Sequence, residues 1–567
     1  MGSISSFGCK HKTVSFFRER LKNIGVYSPF TTFGQWRLLD VLGEALGVRF
    51  EEREFGNNKG IDAWFFPEAG FEDLDRIAKC ELPSYVVVSD NQRRPCGESS
   101  CIEFSQHAVL PPVLRGRQVW SDEAVNLRSL PPWIRNVSPI ASKEAAPIWV
   151  IHEIEGRRHH YVSVSSRELK PGESLFQRFK GKEFIGLLPF LVFLDSLNED
   201  QGWDPPPLQA CFMFDDPNLH WSTYGFINFA ELVKHAYIHN YHVSFATIPL
   251  DFWFVHKPTA FLFRQHSEQI SLLIHGNDHV ARELAKPYSE EERKRILRQA
   301  LSRIASLERR SGVEVSRVMA APHGACSESF LREMARLGFE AASISRGSSH
   351  SYSGPAESVR TFGMGTANIV AGLPVFPRFR LSRSSHNSIL IAAFFRQPII
   401  AVGHHQDVSN GLELLEELSA FINSFGVVQW ANMKRISRSH YARKIEGKSF
   451  LARMFTKRIE VNVPNGISEI WIERSCLKGI ESEKFLWRAC HEHAGWKLHR
   501  PDEPIPVNSG QTIEILSNPV TLPENDKGMD RKLHLWPLAR RQFTEARDRL
   551  APILKRFSGR RSGYYGT

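Results

Sequence analysis

Cysteine is scarce in this sequence, and its arrangement excludes a disulfide framework. The chain has 8 cysteines in 567 residues, without the regular spacing of small secreted domains. Cys96 and Cys101 form one C-x4-C pair. Because no second pair of cysteines or histidines with zinc-ligand spacing follows it, we interpret the two as unrelated residues and expect free thiols.

Long apolar runs are also missing. No stretch of about 18 apolar residues occurs that could cross a bilayer, and Met1–Arg20 lacks the apolar core of about 7–15 residues that a signal peptide requires. We therefore expect a cytoplasmic protein without a transmembrane segment. Hydrophobic residues make up 42% of the chain and charged residues 24%, which excludes a chain that is disordered throughout.

The formal net charge of +10 arises in part near the C-terminus. Four basic pairs lie there, namely Arg531-Lys532, Arg540-Arg541, Lys555-Arg556 and Arg560-Arg561. A basic surface suits a polyanion or a membrane surface. We interpret residues 531–567 instead as a solvated basic tail with an amphipathic helix near Gln542–Lys555, and we find no clear sign of nucleic-acid binding.

Three consecutive prolines, Pro205–Pro207, mark the clearest domain boundary, since they cannot continue a helix or a central strand. From this boundary and the patterns on either side we predict four units. They are an N-terminal α/β accessory domain (1–204), a βα-repeat domain (205–446), a small antiparallel β-sandwich-like domain (447–530) and the basic helical tail (531–567).

The two flanking domains are predicted from short periodic segments. Helical periodicity at Trp36–Leu46 and strand-like runs at Ser84–Val88 and Trp149–Ile154 indicate the N-terminal α/β domain. After about residue 447, segments that alternate with period two indicate an antiparallel sheet. They are Arg458–Val463, Glu469–Glu473 and Thr512–Leu516.

Between the flanking domains, short apolar strands alternate with helical segments. The strands are Ala210–Phe214, Val243–Ala246, Ser271–Ile274 and Arg317–Ala321. One helix begins at a capping box of Ser289 and Glu292 and ends at Gly312, and a second is predicted to begin at Asn410. This alternation predicts a parallel sheet or barrel, whose reactive groups gather at the carboxyl ends of the strands.

Polar residues follow four of the apolar runs at the expected place. They are Asp215 and Asp216, then His275 and His279, then His323 in the segment Ala321–Gly324, and finally His404 and His405 after the apolar run 398–403. Two neutral imidazoles and one carboxylate are a common ligand set for Zn²⁺ in sites that keep positions open for water and substrate. The sequence therefore predicts a metal site formed by Asp216, His275 and His279.

The H-x-x-x-H spacing alone is a weak signal, because it occurs a second time at His235 and His239. That second pair lies in a helical segment with no strand-end carboxylate nearby in the sequence, and we interpret it as surface or packing histidines. The first pair is not a metalloprotease helix either, since Gly276 stands where the H-E-x-x-H glutamate would be.

Because these motifs follow successive predicted strands in this order, residues 205–445 resemble the polysaccharide deacetylases of the chitooligosaccharide-deacetylase homology type. The resemblance rests on Phe214–Asp216, which matches the family's strand ending in Asp-Asp, and on His275–His279, which matches its His-Ser/Thr-x-x-His block with Gly276 in place of the hydroxyl residue. It implies a distorted (β/α)7 barrel, with Asp215 as the general base and Asp216, His275 and His279 as metal ligands.

The later family blocks depart from the pattern. Ala321–Gly324 lacks the family's arginine, for which Arg378 and Arg380 are candidate replacements, and the Asp-x-x-Asp-Trp block is not recognisable. The resemblance implies that His404 is the catalytic acid, because Val402–His404 approximates the final Leu-x-His block, with His405 as a rival. We predict that the substrate-binding residues are Pro322, His323 and Arg378.

These observations predict a metal-dependent hydrolase that removes N-acetyl groups from an amino-sugar polysaccharide or its precursor. The expected cofactor is one divalent ion, Zn²⁺ or alternatively Co²⁺ or Mn²⁺, and the expected partner is the carbohydrate substrate. Another amide, ester or glycoside hydrolase on the same barrel is the first alternative, because a fold does not fix its reaction. A non-catalytic module that binds a glycan or a polyanion is the second, favoured by the altered third block and the basic tail.

Overall fold

The protein is described here by a computed structural model. It describes residues 22–27, 36–88, 100–121, 137–164, 168–170, 173, 175, 181–197, 202–345, 366, 368–473, 485–490, 495–499, 503–517 and 535–562. Cys96 and the basic pair Arg531-Lys532 lie outside these residues, whereas Cys101 lies in a strand and its thiol is free.

The N-terminal domain contains a mixed nine-stranded sheet. Its strands are β1 (Lys22–Val26), β2 (Val48–Glu52), β3 (Ala63–Ala69), β4 (Ser84–Val88), β5 (Ser100–Phe104), β6 (Gln118–Ser121), β7 (Val137–Lys143), β8 (Ala146–Ile154) and β9 (Arg157–Val162). They lie in the order β2-β1-β3-β4-β9-β8-β7-β5-β6. The helices are α1 (Trp36–Leu46), α2 (Phe71–Ile77) and α3 (Leu188–Leu197). The predicted α/β character of this domain is confirmed.

The central domain is a closed barrel of parallel strands. Its strands and short ribbons are β10 (Leu208–Asp215), β11 (Thr223–Tyr224), β12 (Ile227–Asn228), β13 (Val243–Thr247), β14 (Ile270–His275), β15 (Val315–Ala320), β16 (Ala341–Ser345), β17 (Asn368–Val370), β18 (Leu373–Arg380), β19 (Ile399–Gly403) and β20 (Val428–Trp430). Seven of them, β10, β13, β14, β15, β16, β18 and β19, form the barrel, and pairing of β10 with β13 closes it. The predicted (β/α)7 barrel is confirmed.

Helices surround this barrel and bury one face of each strand, while the interior side chains bury the other. All eight residues of β10 are buried, as parallel strands covered on both faces require. The helices are α4 (Phe229–Ile238), α5 (Lys257–Gln265), α6 (Glu290–Ser311), α7 (Glu328–Arg336), α8 (His386–Phe394), α9 (Glu413–Asn423) and α10 (Met433–Arg438).

Two helix starts test the local signals in the sequence. The capping box before α6 is confirmed, because the Ser289 hydroxyl accepts from the Glu292 amide and Gly312 ends the helix in the left-handed region. Helix α9 begins at Glu413 and not at Asn410. Gly411 lies between the two positions, and its φ of +123° is incompatible with a right-handed helix.

The C-terminal β domain packs two four-stranded sheets around a common apolar core. Its strands are β21 (Tyr441–Glu446), β22 (Ser449–Met454), β23 (Arg458–Asn462), β24 (Glu469–Glu473), β25 (Phe485–Ala489), β26 (Lys497–His499), β27 (Ile505–Pro506) and β28 (Thr512–Ser517). The sheet orders are β21-β22-β24-β27 and β23-β28-β25-β26, and every pair except β22–β24 is antiparallel. The predicted antiparallel character of this domain is confirmed.

The last described element is helix α11 (Leu535–Ser562), which packs against the barrel. The interpretation of the tail as solvated is wrong for this helix, since the Arg541 side chain is only 5% exposed. The physical reason is a buried acceptor: Asp251 of the barrel pairs with the guanidinium at 2.8 Å. Within the described residues, no helix is both long enough and apolar enough to cross a membrane.

Candidate metal centre and active site

The carboxyl ends of the barrel strands meet around one pocket of about 650 Å³. In a parallel barrel all strands end on the same side, so residues far apart in the sequence converge there. The pocket is lined by Asp215, Asp216, His275, His279, His323, Gly324, Ser345, Arg378, Phe379, Arg380, Val402, Gly403, His404, Gln406 and Asp407. Its size lies in the range of small-molecule sites.

Asp216, His275 and His279 form a compact cluster in this pocket. The Asp216 Oδ1 atom lies 3.5 Å from His275 Nε2 and 3.2 Å from His279 Nε2. It is buried and has no hydrogen-bond partner among the residues that the structure describes. Two ligands of one tetrahedral ion, with bonds of about 2.0–2.1 Å, are separated by about 3.3 Å. The three residues therefore fit a divalent ion.

The protonation of this cluster also suits an ion. His275 Nδ1 lies 2.9 Å from the Ala320 carbonyl oxygen and is the donor in this contact, so Nε2 is the ring nitrogen that faces Asp216. Burial lowers the pKa of His279 to about 3, which keeps the ring neutral. Burial raises the pKa of Asp216, but the combined effects of His279, His275, Arg541 and His404 lower it to about 2.

A buried carboxylate shapes the loop between the two histidines. Glu283 accepts hydrogen bonds from the amides of Asn277, Asp278 and His279 at 2.8, 2.9 and 3.2 Å. Burial raises the pKa of Glu283 to about 7, although these amides act in the opposite direction. Hydrogen bonds to the Glu283 side chain therefore hold the backbone of residues 277–279.

The same loop leaves no room for a side chain at position 276. Gly276 has φ of +62°, and a Cβ atom there would lie 2.6 Å from Pro322 Cγ and closer still to Glu283. A larger side chain is excluded both by its backbone conformation and by its neighbours. Pro322 itself is buried and does not line the pocket, so its contact with Gly276 is structural.

Asp215 is buried beside the cluster and is held by Arg378. Arg378 Nη1 donates to Asp215 Oδ1 at 2.9 Å, and Nη2 donates to the Ala321 carbonyl at 2.8 Å. Burial raises the pKa of Asp215, but Arg378 together with His275 and His404 lowers it by more, so the pKa lies below its usual value. Of the two arginine candidates, Arg380 is 83% exposed and pairs with Asp407. Arg378 is the one that contacts the carboxylate.

His404 and His405 point in opposite directions from the end of β19. His404 lines the pocket, is 51% exposed and has its Nε2 3.8 Å from Asp216 Oδ2. His405 is fully buried behind the pocket, with its ring centroid 4.9 Å from that of Tyr224 and its Nε2 3.5 Å from Asp548 Oδ1. Only His404 can reach a molecule in the pocket, and its role as the acid stays a prediction.

The remaining predicted residues fall in two places. His323 is exposed, lines the pocket and has its ring centroid 5.3 Å from that of His279. His235 and His239 lie at the end of α4, next to the start of β13 and thus at the opposite end of the barrel. Glu416 of α9 approaches His239 there at 3.8 Å, which the sequence did not indicate.

Two residues that hold the site in place, Glu283 and Arg541, do not lie at strand ends and were not predicted from the sequence. Glu283 lies in a polar segment without periodicity, and Arg541 belongs to the basic pairs near the C-terminus. The capping and periodicity rules report contacts within a few residues, whereas the Arg541–Asp251 pair spans 290 positions. A buried carboxylate such as Asp251 implies a positively charged partner, but its burial is known only from the structure.

Comparisons with known proteins find similarity among solved structures only. No protein-family model and no curated protein matches the chain. It is similar to a solved polysaccharide deacetylase from Mycobacterium smegmatis, with 14% identity, a TM-score of 0.30 and coverage of 41% of this chain and 90% of that chain. It is also similar to a CE4 esterase from Streptococcus mutans, with 14% identity, a TM-score of 0.23 and coverage of 40% and 87%.

A third solved structure in this group is a polysaccharide deacetylase from Bacillus cereus. It has 13% identity, a TM-score of 0.21 and coverage of 40% of this chain and 91% of that chain. Each of these similarities covers about two-fifths of this chain. The chain is thus similar to polysaccharide deacetylases, the family that its strand-end motifs resemble.

Proposed function

We propose that this protein is a metal-dependent hydrolase that removes N-acetyl groups from an amino-sugar polysaccharide or its precursor. One observation carries the proposal: the buried Asp216 Oδ1 atom has no hydrogen-bond partner among the described residues and lies 3.2–3.5 Å from two imidazole Nε2 atoms. Asp215 and His404 line the same pocket. A base, an acid and an ion site thus lie within reach of one substrate.

Asp216, His275 and His279 would hold the ion. Two imidazoles and one carboxylate suit Zn²⁺, and Co²⁺ and Mn²⁺ accept the same ligands. When bound, such an ion polarises an acyl carbonyl and lowers the pKa of water. The exposed side of the pocket leaves room for the substrate beside these ligands.

The remaining chemistry falls to the side chains. Asp215 accepts the proton of the attacking water, and the Arg378 guanidinium keeps this carboxylate ionised and fixed in place. His404 donates a proton to the amide nitrogen as the bond from that nitrogen to the acyl carbon breaks. The products are acetate and a free amine. His323 and Arg380, which are exposed at the pocket, are placed to contact the sugar.

Acetate release from N-acetylglucosamine oligomers tests the proposal. The metal-loaded protein should release acetate, and Asp215→Asn should reduce the rate by about 10²–10⁴-fold, the usual contribution of base catalysis. Asp204→Asn, which changes an exposed aspartate outside the pocket, should not. Hydrolysis of other amides, esters or glycosides with no acetate from these oligomers would indicate another hydrolase. Glycan binding without turnover would indicate a non-catalytic module.

A further inference from the structure

The C-terminal helix α11 lies across the loops that carry the proposed catalytic residues. Its contacts reach the loops after three barrel strands. Glu545 Oε2 accepts from Asn218 Nδ2 at 2.9 Å, Arg540 donates to the His279 carbonyl, and Lys555 Nζ donates to the Ser409 carbonyl at 2.7 Å. The helix therefore forms part of the rim around the pocket.

Two of the three proposed metal ligands have an unusual backbone conformation. Asp216 has φ of +79° and His279 has φ of +54°. Residues other than glycine seldom adopt this left-handed region, and they keep it only where surrounding contacts hold it. His275 ends a regular strand and has no such requirement. The site thus depends on whatever fixes the backbone at Asp216 and His279.

Arginines of α11 hold both of these backbone positions. Arg541 Nη2 donates to the Asp216 carbonyl oxygen at 2.6 Å, and Arg540 Nη2 donates to the His279 carbonyl oxygen. These two carbonyls belong to the two left-handed residues. Adjacent positions on one helix therefore hydrogen-bond to the backbone of both left-handed ligand residues.

The Arg541 side chain is buried and binds two acceptors at once. Its side chain is 5% exposed, and its Nε atom donates to Asp251 Oδ2 at 2.9 Å while Nη2 reaches Asp216. Asp251 is itself buried. A planar guanidinium can bridge two acceptors in this way, whereas the single ammonium of lysine cannot take the same fork geometry.

We propose that Arg540 and Arg541 are positioning residues, and that the C-terminal helix completes the ion site by holding the backbone of Asp216 and His279. The inference rests on the proposed function in so far as these two residues bind the ion. Neither arginine lines the pocket. Their effect reaches the chemistry through the geometry of the ligands.

The first test is Zn²⁺ affinity, measured in full-length protein by competition with a chromophoric chelator. Arg541→Ala should weaken binding by about 10–100-fold, as loss of an outer partner of a metal ligand does. Arg540→Ala should act in the same direction, and Arg541→Lys should not restore the wild-type affinity. Arg547→Ala removes the same charge from an exposed position of the same helix and should bind as the wild type does.

Amide hydrogen exchange of the metal-free proteins gives a second readout that needs no ion. Arg541→Ala should speed exchange in residues 216–226 and 276–283 and leave the barrel strands protected. Faster exchange throughout the barrel would show that this variant is unfolded. In that case the positioning role is tested with Arg540→Ala, because the Arg540 side chain is less buried than that of Arg541.

Unchanged exchange in both loops together with unchanged Zn²⁺ affinity would overturn the inference and leave the proposed function intact. A wild-type protein that binds no Zn²⁺ would instead contradict the proposed metal site. The exchange comparison would then decide the positioning role on its own.

Discussion

Arg378 of β18 donates a hydrogen bond of 2.9 Å to Asp215 of β10, across 163 positions of the chain. Both side chains are almost completely buried. Arg378 lies on a different strand from the segment Ala321–Gly324, which contains no arginine. Arg378 also donates to the backbone carbonyl of Ala321, so it connects the two places.

Removing Arg378 should affect the base more than the ion. Arg378→Gln removes the largest of the effects that lower the pKa of Asp215 while burial continues to raise it, so the pKa of this carboxyl should rise. Since the base must be ionised, the acid limb of the activity profile should move to higher pH, and activity at neutral pH should fall by about 10²-fold. The measurement is the pH dependence of acetate release.

Arg380→Ala is the matched control, because this arginine lies on the same strand but is 83% exposed. Its acid limb should remain where the wild type has it. The unfolding temperature of Arg378→Gln must be recorded as well, since breaking a buried pair costs about 3–5 kcal/mol. A folded Arg378→Gln protein with the wild-type acid limb would contradict the assigned role.

The two neighbouring histidines should fail in different ways. His404→Ala should depress amide hydrolysis far more than hydrolysis of an activated ester, whose leaving group needs little protonation. His405→Ala should lower the unfolding temperature and affect both substrates alike, because its ring is buried between Tyr224 and Phe226. Parallel assays of an amide and an ester decide this. A selective loss of amide hydrolysis in His405→Ala would reverse the assignment.

The strand ends could be predicted from the sequence because their signals are local. An apolar run followed by Asp215-Asp216 or by His275 predicts both the strand and the side on which its polar residues lie. These inferences need no knowledge of what packs against the strand.

Contacts between distant segments could not be predicted in this way. Arg378 and Arg380 are equivalent in the sequence, and only packing shows that one is buried against Asp215 while the other is in solvent. The Glu416 carboxylate approaches His239 from another helix. Arg541 looked like part of a solvated tail because its partner Asp251 lies 290 positions away.

A hydroxyl residue at position 276 should weaken the proposed metal site. Gly276→Ser places a Cβ against Pro322 and Glu283 at a left-handed backbone position. We expect Zn²⁺ affinity to fall by about 10–100-fold, measured by chelator competition. Gly447→Ser is the control, since Gly447 has the same φ of +62° but nothing within 4 Å of its Cβ position. Wild-type affinity in Gly276→Ser would show that the loop does not require glycine.

The N-terminal domain should lose stability in mild acid because of a buried histidine. Burial lowers the pKa of His160 to about 3, below its value of about 6.5 in an unfolded chain. The unfolded state therefore binds the extra proton first, and stability falls as the pH drops below about 6.5, by up to about 1.4 kcal/mol per pH unit.

Replacing this histidine removes the titrating group. Neither ring nitrogen of His160 has a hydrogen-bond partner among the described residues, and the ring packs against Trp149 and Phe193. His160→Phe should therefore show a smaller loss of unfolding temperature between pH 7.5 and pH 5.5, chosen as about one unit on either side of 6.5. An acid dependence equal to that of the wild type would contradict the prediction.

The metal content of purified protein tests the central claim most directly. Elemental analysis should find about one tightly held divalent ion per chain after dialysis against a weak chelator, as a site with three protein ligands requires. His275→Ala, His279→Ala and Asp216→Asn should each lose most of it. Asp215→Asn should retain the ion, since Asp215 pairs with Arg378, and so should His235→Ala at the opposite end of the barrel. A wild-type protein without metal, or equal metal in all of these proteins, would contradict the account.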